Sequence, residues 1–270
     1  MRIGTPALTA LLLLAGTVHA QDGPYISPTT ERVRISLGVL SSKASTNARI
    51  DATNGNLGTP FNAEGDLALD SSKIGPKFQA MIRVGERHRL RFDYFTLDRQ
   101  AFKVLERPIT FRNQDLLIGD PVDSQLSVRT LGITYGYSFI RRDSFELAGT
   151  LGVNLLDFSA RARVQQPNRR IDQREDQAGP FPTLGLDMTW SISRRFYLDG
   201  RVQYLTLRID QLDGSLGLYE LSAVYRWRAN VALGLGYHKE RAKLSSTKTT
   251  ESGFFDLDTK GPELFVRVAF

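Results

Sequence analysis

The sequence predicts an all-β protein whose antiparallel strands close into a membrane-spanning barrel of about ten strands, with eight and twelve as alternatives. Three observations carry that expectation. About ten segments alternate apolar and polar residues with a period of two, which in an extended chain sets one apolar face against one polar face. The connections between these segments are alternately short and long. Large aromatic residues recur on the apolar face beside the short connections, where a bilayer would end. Bulk composition is compatible with this, at 41% hydrophobic residues over 270 and a mean hydropathy of −0.24. A barrel strand is apolar only at every second position, so its average resembles that of a soluble chain.

Residues 1–20 read as an export signal: Arg2, an apolar stretch from Ala7 to Gly16 containing Leu11 to Leu14, and the small-x-small site Val18-His19-Ala20 before Gln21. The apolar core of about ten residues is half of what a spanning helix needs. The expected division is therefore a signal peptide at 1–20 and one barrel domain at 21–270. The absence of cysteine excludes disulfides, thiolate metal sites, a cysteine nucleophile and a lipid-modified N-terminal cysteine. A net charge of +6 and a pI near 9.6 arise from bases interspersed with 29 acids, without a basic helix or nucleic-acid motif, so no nucleic-acid partner is expected. No cofactor signature is present.

Taken in order, the first strand is expected at about 32–42, with Val33, Ile35, Leu37 and Val39 on one face. After a long polar connection, the second, at about 76–84, sets Phe78, Ala80, Ile82 and Val84 against Lys77, Gln79, Met81 and Arg83. The third, about 89–97, sets Leu90, Phe92 and Tyr94 against Arg89, Arg91 and Asp93. A connection at about 98–124 follows. The fourth, about 126–139, alternates Leu131, Ile133, Tyr135, Tyr137 and Phe139 with small and hydroxyl residues. The fifth runs from Phe145, and its apolar parity changes at Phe158, Ala160 and Ala162, which reads as a β-bulge or as the point where the strand leaves the membrane. A polar loop is expected at 165–180. The sixth, about 183–192, and the seventh, from Phe196 to Tyr204, flank the turn at 193–195, and Asp213-Gly214 marks the next reversal. The eighth carries Leu221, Ala223, Tyr225 and Trp227, and the ninth Val231, Leu233, Leu235 and Tyr237. A loop of about twenty residues precedes the closing alternation from Pro262 to Phe270.

That closing alternation with its last aromatic, the export signal and the asymmetry of the turns together resemble the small single-domain, porin-like outer-membrane β-barrels of Gram-negative proteobacteria. The resemblance implies short periplasmic turns, long extracellular loops, an even strand number and a place in the cell outer membrane. It further implies an assembly signal formed by Leu264, Val266, Val268 and Phe270 for the barrel assembly machinery, and contact with outer-membrane lipid and lipopolysaccharide. The oligomeric state is left open.

Function, if chemical, has to be read from the inward face. That face carries Arg83, Arg91, Asp93, Glu146, Asp187, Asp199, Arg201, Glu220, Arg226, Glu263 and Arg267, with Arg34, Lys77 and Arg89. Mixed signs in a narrow lumen point to paired charges that fill it, and so to a structural barrel or a narrow conduit for small solutes. The first alternative is an adhesin or ligand-binding barrel acting through its loops, of which the one at 98–124 is unusually apolar. The second is a hydrolase of omptin or lipid A-modifying type. The chain is not expected to be an enzyme: omptins place an Asp two residues before a His, and residue 236 before His238 is Gly. His88 is expected in a turn, and His238 near the outer end of the ninth strand.

Overall fold

Ten antiparallel strands close on themselves in the computed structural model, which describes residues 26–52, 56–111, 114–166, 169–209, 211–247 and 252–270. The expected export signal lies outside the described residues. The strands are β1 Val33–Ile50, β2 Ser72–Val84, β3 His88–Val104, β4 Pro121–Arg141, β5 Phe145–Gln166, β6 Arg169–Ser191, β7 Phe196–Ile209, β8 Leu212–Arg226, β9 Val231–Ser246 and β10 Gly253–Ala269. Each pairs with its neighbours in sequence, and β10 returns to β1 with Leu37 opposite Val266, so the barrel has no open edge. The expected ten strands are borne out.

The residues at 98–124 do not add two strands to the barrel. They lengthen β3 and β4, and between those strands Ile109–Phe111 and Gln114–Leu116 form a separate small hairpin. Following directly opposed residues from Leu184 in one direction leads through Leu151, Tyr135, Leu90 and Ile82 to Val33. The other direction leads through Tyr204, Gly217, Arg241 and Asp258 to Ser45. The two arrivals on β1 lie twelve residues apart, and that stagger with ten strands tilts them roughly 40° from the barrel axis.

The strands are longer at one end than the sequence pattern implies. The stretch at 165–180 is strand, because β5 and β6 run on as a hairpin to Gln166 and Arg169. Most of the loop expected before Pro262 is also strand, with Ser246 opposite Gly253. Asp213 and Gly214 are not the reversal but paired residues of β8, opposite Arg208 and Leu207. His88 is the first residue of β3, where its Nδ1 lies 2.6 Å from the Tyr135 hydroxyl.

The parity change on β5 is not a bulge. β5 keeps an unbroken register with β6, and its even-numbered residues face inward along its whole length. A register shift does occur on β4, between Ser138 and Ile140. What reverses along β5 is the environment. Up to Leu155 the outward residues Leu151, Val153 and Leu155 are exposed and apolar, while Glu146, Thr150 and Asn154 lie inside. Beyond it, Leu156, Phe158, Ala162 and Val164 lie inside, and Asp157, Arg161 and Arg163 face out. One strand thus passes from a lipid-facing segment with a polar interior to a water-facing segment with an apolar interior.

The lower segment spans eleven residues, ten steps along the strand, from Phe145 to Leu155 on β5. At about 3.3 Å per residue and a tilt of roughly 40° it is about 25 Å tall, the height of a hydrocarbon band. Exposed aliphatic residues continue round it, including Leu37, Ile133, Leu186, Leu235 and Val266. A ring of that size facing water would be far larger than any apolar patch a soluble monomer exposes. Trp190, Phe196, Trp227 and Phe270 lie at its short-turn edge, and Tyr94, Tyr204, Tyr219 and Tyr237 lie toward the other.

Candidate functional site: the filled lumen and its two mouths

Alternation delivers the inward charges, and the tilt brings charges from distant strands to one level. Glu146 on β5 is fully buried and receives both outer nitrogens of Arg83, at 2.7 and 2.8 Å, the hydroxyl of Ser138, and Arg89 at 3.5 Å. Asp187 lies 2.7 Å from Arg91 and 3.6 Å from Arg201, whose guanidinium also reaches Asp93 at 3.0 Å and Glu220 at 3.3 Å. Lys77 bridges Glu220 and Glu263, the latter at 2.6 Å. Asp199 holds Arg267 and receives the Thr189 hydroxyl at 2.9 Å, while Arg267 donates to Ser36 at 2.9 Å. With Arg226, which pairs with Glu31, all eleven candidate residues lie inside the barrel in ion pairs. Acids and bases removed from water are held here by charge-assisted hydrogen bonds to one another.

Two glycines of β9 make room for this interior. A Cβ on Gly236 would sit 2.6 Å from Glu263 Oε1, and one on Gly234 would sit 2.1 Å from the Phe265 ring. Phe265 packs there with Tyr197, Val224 and Ala232 as a small apolar cluster. The sequence pattern does not single out Tyr197, although it shares the parity of Asp199 and Arg201.

Glu31 is not singled out either, since it precedes the first alternating stretch. It is 1% exposed and accepts hydrogen bonds from Arg34 at 2.9 Å and Arg226 at 2.6 Å. Its carbonyl takes Arg83 Nε at 3.1 Å, and the carbonyls of Pro28 and Thr29 take Arg34 and Arg141. The segment before β1 is thereby tied across the short-turn mouth of the barrel.

The other mouth is closed by apolar packing. Leu40, Leu97, Val122, Leu156, Phe158 and Leu216 from the wall meet Ala63, Leu67 and Leu69 from the 51–71 connection and Leu105, Ile109 and Leu116 from the 105–120 connection. Two ion pairs lock these connections down: Arg99, buried among the apolar residues, with Glu64, and Arg107 with Asp66 at 2.8 and 2.5 Å. A polar cavity of about 40 Å³ beside Arg91 and Arg201 and an apolar one of about 30 Å³ beside Ile109 and Leu116 have room for no more than a few water molecules.

The Arg107 hydrogen bond holds the Asp66 carboxyl below the usual carboxylate range. A depressed carboxylate stabilises the folded form above its unfolded value and loses that contribution as pH falls through the folded value. The protection of the amides of residues 61–70, taken as the exchange rate relative to the intrinsic rate at each pH, should therefore be constant from pH 8 to about 5 and fall below about pH 4. Asp66→Asn should remove this pH dependence, and a dependence that persists in the variant would assign it to another group.

His238 is not near a rim but within β9, 2% exposed, with Nδ1 3.0 Å from Glu220 and Nε2 3.6 Å from Glu240. Ser222 beside it is committed to Glu263 at 2.9 Å. Among the described residues no group of three His, Asp or Glu side chains is placed to hold a metal ion. The apolar run at 98–124 divides: Leu105, Ile109 and Leu116 are buried, whereas Phe102, Val104, Leu117 and Ile118 are exposed.

No protein-family model and no curated protein matches the chain. Among solved structures it is similar to the outer membrane protease OmpT from Escherichia coli, with a TM-score of 0.57 and 9% identity over 93% of this chain and 100% of that one. It is also matched by Ail, the attachment invasion locus protein of Yersinia pestis (TM-score 0.38, 10% identity, 89% of this chain and 99% of that one). A third match is the toluene transporter TodX of Pseudomonas putida (TM-score 0.36, 8% identity, 91% and 93%). At 9% identity the likeness to OmpT carries the architecture and not the activity. Closed, antiparallel and ten-stranded, the chain has the fold of the bacterial outer-membrane β-barrel proteins.

Proposed function

We propose that this protein is an integral outer-membrane barrel with periplasmic short turns, that its lumen is a structural core rather than a conduit, and that its activity is binding at the extracellular surface. The observation that carries the reading is the filling of the lumen in three tiers: the segment holding Glu31, the ion-paired layer, and the apolar core sealed by residues 51–71 and 105–120. The binding surface is the exposed group Phe102, Val104, Leu117 and Ile118. Phe102 lies eight residues beyond Tyr94 on β3, so this group stands about 20 Å above the apolar band. Exposed apolar residues at that height have no lipid to cover them and favour a macromolecular partner. Assembly through the barrel machinery and the outward Leu264, Val266, Val268 and Phe270 belongs to the same reading.

In planar bilayers the protein should give no steady ion conductance. Cells displaying it should bind surfaces or one another, and Phe102→Ser with Ile118→Ser should abolish that binding without changing the amount of folded barrel. A steady, large single-channel current would overturn the closed scaffold, and binding unaffected by the two substitutions would overturn the assigned surface.

A further inference from the structure

Three lysines lie side by side on the outer wall of the barrel. Lys260 of β10 is directly opposite Lys239 of β9 on one side and Lys43 of β1 on the other. All three side chains are exposed and face outward. Directly opposed residues hold their Cβ atoms about 5 Å apart, and like charges in that position repel across the sheet. Nearby outward bases answer the problem with acids: Arg241 and Lys243 pair with Asp256 at 3.1 and 3.5 Å, and Arg208 pairs with Asp213 at 2.6 Å. Among the described residues no ion pair joins Lys43, Lys239 or Lys260 to a carboxylate, Asp258 two positions away included. Three adjacent cations without a counterion form an incomplete arrangement.

Their height says what completes it. Lys239 lies eight residues from Val231, Lys260 nine from Ala269 and Lys43 ten from Val33, each counted from the short-turn end of its strand. At roughly 2.5 Å of axial rise per residue the row is about 20–25 Å above that end, at the far edge of the apolar band. Tyr219 stands directly opposite Lys239, and Tyr237 lies one outward position below it, so the row sits on the aromatic edge of the band. A cation row at that level meets the headgroup layer and nothing deeper.

We propose that Lys43, Lys239 and Lys260 bind the phosphate groups of a lipid headgroup, the lipid A moiety of the outer leaflet; the assignment rests on the outer-membrane reading above. Phosphate oxygens between adjacent ammonium groups convert the repulsion within the row into charge-assisted hydrogen bonds. The row spans three strands across the β10–β1 seam, so one bound headgroup clamps the closure of the barrel.

The test compares wild type with K43Q/K239Q/K260Q as full-length barrels in detergent micelles, reading the apparent melting midpoint. Phosphorylated lipid A should raise the wild-type midpoint by about 5 °C at saturation and leave the triple variant unchanged. Without lipid the variant should melt no lower than wild type, since the substitutions remove only repulsion. An equal rise in the variant, or an equal rise with dephosphorylated lipid A, would overturn the proposal. A full rise with inorganic phosphate alone would reduce the row to a general anion site and overturn the lipid assignment. Failure of the outer-membrane reading would appear separately, as wild-type protein recovered outside the outer-membrane fraction.

Discussion

Replacing Glu146 with leucine is expected to destabilise the barrel by about 3–5 kcal/mol. The carboxylate is fully enclosed, takes both outer nitrogens of Arg83 and the Ser138 hydroxyl, and has Arg89 within 3.5 Å. Its removal leaves two buried guanidinium groups facing each other, and the cost is the desolvation of those charges rather than the loss of one contact. Equilibrium unfolding in lipid vesicles measures it through the two tryptophans, Trp190 and Trp227, which are 47% and 62% exposed at the edge of the apolar band. The triple change Arg83→Met, Arg89→Met and Glu146→Leu should recover most of the loss, because no charge is then stranded. A loss below about 1 kcal/mol in the single variant would mean that water reaches the lumen and screens the arginines.

The dependence of the interior on pairing explains which parts of the molecule were legible in the sequence. Within the apolar band the chain obeys one rule, apolar outward and polar inward, so period-two alternation placed Arg83, Asp187, Arg201 and Glu263 on the inner face without knowledge of any contact. Above the band the rule reverses. Phe158 and Ala162 then looked like a bulge, and the polar outward residues from Asp172 to Asp176 looked like a loop, although both lie in uninterrupted strands. Alternation persists there, but its meaning depends on whether lipid or water lies outside, and no single residue states which. Glu31 was invisible for a different reason: it belongs to a segment without regular structure, and only closure of the barrel brings it to Arg226. Arg99 was hidden as well, being a charge among apolar residues whose partner, Glu64, comes from a connection with no alternating pattern.

The same reversal changes what can be tested in the apolar stretch between β3 and β4. Deleting residues 102–117 would not separate binding from folding, since Phe102 to Val104 are paired strand residues, opposite Asp123 to Pro121. Placing charges at its buried anchors does separate them. Ile109 and Leu116 are 1% and 2% exposed, opposite each other in the small hairpin and packed with Leu105 into the apolar core. Aspartate at both positions cannot remain there, because an unpaired carboxylate in an apolar core costs more than the roughly 5–8 kcal/mol by which three buried aliphatic side chains hold the segment. The segment should lift out while the ten strands stay closed, as their backbone pairing does not involve it. Proteinase K added to intact membranes should then cut within residues 105–120 in the double variant and not in wild type, with the heat-modifiable mobility of the folded barrel retained. With Leu105, Ile109 and Leu116 withdrawn, the apolar tier opens, but the ion-paired layer and the segment at Glu31 still block the path. The double variant should therefore remain non-conducting in planar bilayers. A steady current from it would place the barrier in the hairpin alone and make the charged layer beneath it a filter.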